Sequence, residues 1–474
     1  MPLPIVCQLT TQVLLALILL TAGGDAWATS VIPSQPATVS DDPEDEEGDT
    51  DAAKHGGGYL LLSPMGANEV QIIDREGTPI HTWQKERRSG SAVYLLDDGS
   101  LLRTGSSGAR GAFGFQGGGA AGMIERVSWQ GEVTWKLDWA SQAQLQHHDI
   151  EPLPNGNLLL VTWERKTEEE CLAVGRHEAL LPQGQLWVDA IIEVKPTGKE
   201  GAEVVWRWSP WDHLVQDIDP EKPNYGKASE HPNKIDINYV SFSGRELGQS
   251  DWMHTNAVNY NPKLDQIILS VHGFDEVWII DHSTQGDENP GILWRWGNPE
   301  AYGMGNSADR TLFKQHDARW IDPGNPGQGN IMIFNNGQGR PGSYSTVLEL
   351  ESPLKSDGSY RRNEKGSFEA ANIVWKYENP GTFYSPNISG AVRLPGGNTL
   401  ICSGANGEIF EVTRDGKVVW QHTIRTGSRE NGAGMRGGGG RGGGIFRAPW
   451  ISPDHPGLRP TEPQKKKPAN ATSL

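Results

Sequence analysis

Cysteine is nearly absent from this chain of 474 residues: three occur, Cys7, Cys171 and Cys402. With Cys7 inside an N-terminal apolar segment, one disulfide at most is available, and the sequence leaves open whether Cys171 and Cys402 form it. No CxxC pair and no Cys/His spacing of a zinc site occurs, so no structural zinc is expected. Basic residues are also scarce, 42 against 59 acidic ones. No basic stripe is present, and the one Lys run (465–467) is in the tail, which argues against a nucleic-acid partner. The net charge of -17 is concentrated: eight of the acids fall between positions 41 and 51, a solvated run that says little about the fold. Long apolar runs are missing except for Val13-Leu-Leu-Ala-Leu-Ile-Leu-Leu20, followed by Ala26-Trp-Ala28. That core is shorter than the roughly 20 residues a bilayer span needs. With its small-x-small site it reads as an export signal over 1–28, the alternative being an uncleaved anchor. The protein is therefore expected outside the cytosol, periplasmic or extracellular, with no membrane span after cleavage. Residues 29–57, rich in Pro, Ser, Asp and Glu, read as a disordered acidic linker.

What is abundant points to turns and indoles: Gly 59, Pro 31 and Trp 18. Six runs of apolar residues end in tryptophan, at Trp83, Trp135, Trp206, Trp294, Trp375 and Trp420. Most are preceded by another strand-like run, such as Val277-Trp-Ile-Ile280 or Ile409-Phe-Glu-Val412. Further upstream come hairpins such as Ile150-Glu-Pro-Leu-Pro-Asn-Gly-Asn-Leu-Leu159, with the Asn-Gly, Asp-Gly or Gly-Gly pairs that tight turns favour. Each unit thus holds about four strands. The reading is all-β, a six-bladed β-propeller over 58–426, its tryptophans packing blade on blade. The first unit begins directly at Gly58-Tyr-Leu-Leu-Leu62 and lacks an inner strand. The run Ile445-Phe-Arg-Ala-Pro-Trp-Ile451 is expected to supply it, so that 445–457 closes blade one and removes an open edge. A Gly/Arg-rich flexible segment (427–444) would precede it and a disordered tail (458–474) follow. Insertions near 163–188, 207–250, 297–312 and 351–370 are expected as loops on a face of the disc.

The histidines are placed unevenly. His147-His148-Asp149, Asp251-Trp-Met-His254-Thr-Asn256 and Gln315-His316-Asp317 each precede or begin the inner strand of a consecutive unit. Inner strands line a propeller's channel, so these three sites should meet at one mouth of it. His272 and Arg340 start the next strand turn in two of the same units and could join them. His55, His81, His177, His213, His231, His282, His422 and His455 have no equivalent placement and read as surface or structural residues. Clustered neutral imidazoles offer a nucleophile and general bases near neutral pH, and with Arg they can hold anionic oxygens. This suits transfer of a sulfuryl or phosphoryl group through a covalent histidine. With Asp149 and Asp317 the cluster could instead take a divalent metal, although no HxH or HExxH spacing supports one.

These motifs, in this order and on this repeat, resemble the bacterial arylsulfate sulfotransferases. The residues that carry the likeness are His147-His148-Asp149 with Leu153-Pro-Asn-Gly-Asn157, Asp251-Trp-x-His254-x-Asn256, Gln315-His316-Asp317, and Phe334-Asn-Asn-Gly337. The resemblance spans about 58–425 and the closing strand. It implies an exported, six-bladed enzyme that moves a sulfuryl group from a phenolic sulfate ester to another phenol, through a sulfated histidine and without nucleotide donor or other cofactor. His316 would be the nucleophile. His254 and His148, or His147 if the alignment slips by one, would hold sulfuryl oxygens and move protons. His147, Asn256, His272 and Arg340 would complete the substrate site. Where the family carries an arginine beside the sulfuryl group, this chain has His272. The family's cysteine pair is not evident either. Two other readings stay open: a non-catalytic propeller binding a ligand or protein, and a metal-dependent lyase or hydrolase on the same histidines.

Overall fold

Alternating apolar runs separated by tight turns fold into six four-stranded antiparallel sheets. The computed structural model describes residues 57–108, 117–181, 183–240, 250–284, 286–424 and 444–458. The expected signal segment 1–28 and nearly all of the linker 29–57, of the Gly/Arg-rich segment 427–444 and of the tail 458–474 lie outside these described residues.

From inner to outer strand, blade 2 is Ser89–Leu95, Leu101–Ser106, Gly122–Val127 and Val133–Asp138. Blade 3 is Gln144–Pro152, Leu158–Thr167, Gln185–Pro196 and Ala202–Trp208. Blade 4 runs from Thr255–Asn261 to Ile292–Trp296, blade 5 from His316–Trp320 to Asn372–Glu378, and blade 6 from Gly390–Arg393 to Val418–Thr423. Blade 1 holds Tyr59–Leu62, Glu69–Ile73 and Pro79–Gln84, and its inner strand is Trp450–Ile451 from the far end of the chain. Tyr59 pairs with Ile451 and Leu60 with Trp450, so the ring closes as the sequence predicts. Gly58 makes this possible: its φ is +101°, and a Cβ there would come within 2.5 Å of the Ile451 carbonyl oxygen.

The six tryptophans form a second closed ring. Each indole Nε1–H donates to a carbonyl in the turn between the two outer strands of the next blade: Trp83 to Ser128, Trp135 to Gly201, Trp206 to Thr284, Trp294 to Glu369, Trp375 to Arg414 and Trp420 to Arg75. The last bond joins blade 6 to blade 1. A buried indole thus packs against its neighbour and satisfies a turn carbonyl at once; such bonds contribute about 1 kcal/mol each beyond the burial. Every blade also carries a bulge in its outermost strand, one residue before the tryptophan in blades 2 to 6. In blade 1 that register belongs to His81, and Trp83 lies two residues further along the same face.

Two expectations about the periphery are revised. The segment 163–188 is not simply a loop. Its flanks prolong the central hairpin of blade 3, Gln185 pairing with Thr167 and Trp187 with Arg165. The turn is made further out by the helix Glu168–Ala173, which Thr167 and Glu170 start with reciprocal side-chain caps. Trp163, Trp187 and Val188 are buried, which favours strand over loop there. Second, the insertions are divided between faces. Those after Trp208 and Trp296 lead into inner strands and stand at the mouth where those strands begin. The insertion 352–371 joins the two outer strands of blade 5 and stands on the opposite face. Cys171 and Cys402 are both buried, free thiols. Among the described residues no helix is long and apolar enough to cross a membrane.

Candidate active site

At their starts, the inner strands of blades 3, 4 and 5 break regular pairing. Residues 147–149 face the single Val161, Asn256 is an extra residue, and 317–318 face Ile333. The backbone there enters the left-handed region at His148 (φ 49°), His254 (φ 52°) and Asp317 (φ 53°). For L-residues this costs roughly 1 kcal/mol or more each, which the surrounding contacts must offset. The bulges turn side chains inward that regular strands would send elsewhere. With His272, which stands on the short turn His272–Phe274 of blade 4, they make an arc of four imidazoles. Ring centroids are 4.5 Å apart for His148 and His254, 4.9 Å for His254 and His272, and 5.4 Å for His272 and His316. All four residues are buried. Phe446 of the closing segment fills the inside of the arc, 6.0 Å from His148 and 6.3 Å from His316.

His316 is held in one tautomer. Asn336 donates both amide hydrogens, to the Ser385 and Ile388 carbonyls at 2.8 Å each, so its Oδ1 faces the ring and can only accept. His316 Nδ1 lies 2.8 Å from that oxygen and 3.2 Å from the Lys314 carbonyl. Nδ1 therefore carries the proton and Nε2 keeps its lone pair, which accepts a long bond from the Ile388 N–H at 3.2 Å. Burial pushes the His316 pKa down to about 4, aided by the nearby His254 and opposed chiefly by Asn336. The ring is thus neutral through the physiological range.

His254 Nδ1 meets Asp251 Oδ2 at 2.5 Å, and Trp163 Nε1–H fixes the other carboxylate oxygen at 3.1 Å. His254 Nε2 is left facing the arc. His147 and His148 divide their roles. The His148 ring lies in the arc, and burial followed by the neighbouring His254, His147 and His316 holds its pKa well below the usual range. The His147 ring turns into the blade, stacked on Trp163 at 3.7 Å, with Nε2 3.3 Å from Asp189 Oδ1 and Nδ1 2.8 Å from His148 Nδ1. Gly118 and Gly119 lay backbone against His254 and His148; a Cβ on Gly119 would stand 2.4 Å from the His148 ring.

The remaining expected residues lie apart from the arc. Asn256 is fully buried beneath it and donates to the Gln315 carbonyl at 2.8 Å, supporting the backbone that leads into His316. Arg340 is half-buried and lies over the Phe313 and Tyr344 rings, with the Tyr344 carbonyl and Thr346 hydroxyl as acceptors. Among the other histidines, His282 bridges Asp265 and Glu193, His81 stacks on Trp129, and His177 caps a short helical turn. A cleft of about 1740 Å3 that runs across blades 1 to 3 opens on the opposite face and includes His81 but none of the arc.

Comparison with known proteins decides the family. The arylsulfotransferase (ASST) model matches residues 52–431. The chain belongs to that family. No curated protein matches it. Among solved structures, the chain is similar to a protein of unknown function from Bacteroides caccae, with 14% identity and a TM-score of 0.42 over 77% of this chain and 93% of that one. It is also similar to a functionally unknown protein from Desulfotomaculum acetoxidans, with 10% identity and a TM-score of 0.41 over 84% and 100%.

Several residues around the histidine arc carry no assigned role in the sequence: Asn336, Asp251, Phe446 and Arg447. Asp251 had a legible signal, a carboxylate three residues before a channel histidine. Asn336 stood in a quoted motif without its partner being visible. Phe446 and Arg447 lie over a hundred residues from any histidine they touch, and no local pattern marks them.

Proposed function

We propose that this arylsulfotransferase carries a sulfuryl group from a phenolic sulfate ester to a phenolic acceptor through a sulfated His316, with no nucleotide donor. The observation that carries the reading is the Asn336 amide, whose two donated bonds leave an acceptor facing His316 Nδ1. A neutral imidazole so oriented is a ready nucleophile at Nε2. In the first half-reaction Nε2 attacks sulfur, the S–O bond to the aryl group breaks, and the phenolate leaves. The Ile388 N–H contact yields as the N–S bond forms. In the second, the acceptor phenol oxygen attacks the same sulfur, the N–S bond breaks, and the phenol proton passes to a base.

His254 suits that base. Asp251 accepts a hydrogen bond from its Nδ1–H, so the Nε2 lone pair faces the substrate. His148 and His272 flank it and would hold sulfuryl oxygens, each donating when it carries a proton on the facing nitrogen. His147 would act by orienting His148, Asn256 by supporting Gln315, and Arg340 as a cation on the approach loop. The protein would work after export, as the 1–28 segment suggests.

The test is a burst assay with a chromogenic aryl sulfate and no acceptor, followed by intact mass. One equivalent of phenol and one added sulfuryl mass are expected, both absent in His316→Ala. A full burst in that variant would overturn the assignment of the nucleophile.

A further inference from the structure

The closing segment does more than complete a sheet. Its next-to-first residues, Phe446 and Arg447, reach the centre of the ring and touch both ends of the histidine arc. The Arg447 guanidinium makes a two-pronged bond to Asp149, Nη1 to Oδ2 at 2.7 Å and Nη2 to Oδ1 at 2.6 Å. Nη1 also reaches Asp317 Oδ1 at 3.3 Å, and Nη2 donates to the Tyr94 hydroxyl at 2.6 Å. Asp149 follows His148, and Asp317 follows His316. One arginine from the far end of the chain thus ties together the two bulges that aim these histidines. Phe446 adds a third tie: its carbonyl accepts from Ser389 N–H at 2.9 Å, next to the Ile388 whose N–H meets His316 Nε2.

We infer that Arg447 is a positioning residue for the histidine centre, making the closing strand a working part of the site; this rests on the reading of His316 as nucleophile. The groups around it are identified. Asp149 faces Arg447, Tyr94 and the Val258 N–H. Asp317 faces Arg447 and Arg319, the latter at 2.6 Å. Glu151 completes the group beside Tyr94 and Asn259. Across the arc, His316 faces His254, His148, His272 and Lys314. Arg447 and Arg319 therefore balance Asp149 and Asp317 directly under the imidazoles. Arg447 is 3% exposed, so its charge is little screened there.

Removing that cation leaves two buried carboxylates short of a partner, and their charge favours protonated imidazole above them. Fewer His316 rings are then neutral at mildly acid pH, and the acid limb of sulfation moves to higher pH. The experiment measures burst rate against pH for wild type, Arg447→Lys, Arg447→Met and Arg447→Met/Asp317→Asn, each corrected for folded fraction by near-UV circular dichroism. Arg447→Lys keeps the charge but loses the fork; it should slow the burst about tenfold with KM little changed and leave the limb in place. Arg447→Met should move the limb upward, and the added Asp317→Asn should return it. Side-chain 15N titration of the histidines, recorded on the same proteins, follows the limb without needing turnover. If the histidine titrations move as stated while wild type shows no burst, Arg447 keeps its role and the sulfuryl reading fails. Unchanged limb, titrations and KM-to-rate balance in all three variants would make Arg447 a structural residue only and overturn the inference.

Discussion

The two halves of the propeller's inner ring use the same backbone for opposite purposes. Blades 3, 4 and 5 carry His148, His254 and His316 in or just before the first part of their inner strands. Blades 2 and 6 begin theirs with Ser89-Gly-Ser and Ser389-Gly390-Ala. In the small-residue half there is no spare room. A Cβ on Gly90 would come within 2.4 Å of Thr104 Oγ1, and one on Gly390 within 2.1 Å of Asp317 Oδ2. Half of the ring carries the imidazoles, and in the other half Gly390 leaves room for the Asp317 carboxylate. Blade 1 stands between blades 6 and 2, opposite the histidines, and Phe446 and Arg447 from the other end of the chain reach inward beside it. A six-fold repeat alone does not set function; departures from it do.

The sharpest way to break this contrast is at Asn336. Asn336→Ala removes the acceptor that fixes the His316 tautomer and should raise the barrier to sulfation by about 4 kcal/mol, a loss of the order seen when an orienting partner of a catalytic histidine is removed. KM for the donor should change little. Pre-steady-state bursts against donor concentration check this; an unchanged rate would mean that Asn336 does not set the tautomer.

Acid should act on the histidine half and spare the other. The folded pKa of His316 is about 4 against an ordinary 6.5. Between those values the unfolded chain binds more protons than the folded one. The stability that neutral burial provides is therefore complete above 6.5 and lost as pH falls through 4. For one ring the change is on the order of 3 kcal/mol. Urea midpoints from pH 7 to 4 should fall less steeply in His316→Gln than in wild type. Parallel slopes would show that His316 is not the group responsible.

Blade count, closure and convergence of the histidines were all legible in the sequence because each rests on a short-range pattern. Tryptophan after a β-branched run, Asn-Gly between apolar runs and histidine at a strand start all fall within a few residues. The choice of His148 over His147 for the arc was legible too, through the paired aspartates 149 and 317. What was hidden depends on contacts across the ring. Arg447 is one more arginine after a Gly/Arg-rich stretch until Asp149 and Asp317 stand on either side of it. The extension of the hairpin in blade 3 was missed because Trp163 and Trp187 interrupt a polar stretch and only their burial shows them to be strand.

Gly390→Ala tests the small-residue half. The added methyl meets the Asp317 carboxylate, so Asp317 or its strand must shift, at a cost of about 2 kcal/mol in stability. Sulfation should fall with it, since Asp317 follows His316. Gly396→Ala, a glycine of the same blade with nothing within 4 Å of an added Cβ, is the matched control. Thermal unfolding and burst rate measured on both should separate them; equal behaviour would show that Asp317 can move without consequence.

The smallest effect is expected at the rim, where the repeat is most regular. Trp294→Phe keeps a ring in the packing between blades 4 and 5 and removes one bond, to the Glu369 carbonyl. That carbonyl lies in the outer turn of blade 5, close enough to solvent for water to replace the indole N–H. The cost should be about 1 kcal/mol in unfolding free energy, with burst rate, KM and pH profile unchanged. Five other indoles make the equivalent bond, so the ring tolerates the loss of one. If Trp294→Phe altered the burst, the outer ring would be coupled to the arc. The division between a repeated frame and a specialised centre would then have to be replaced by one cooperative unit.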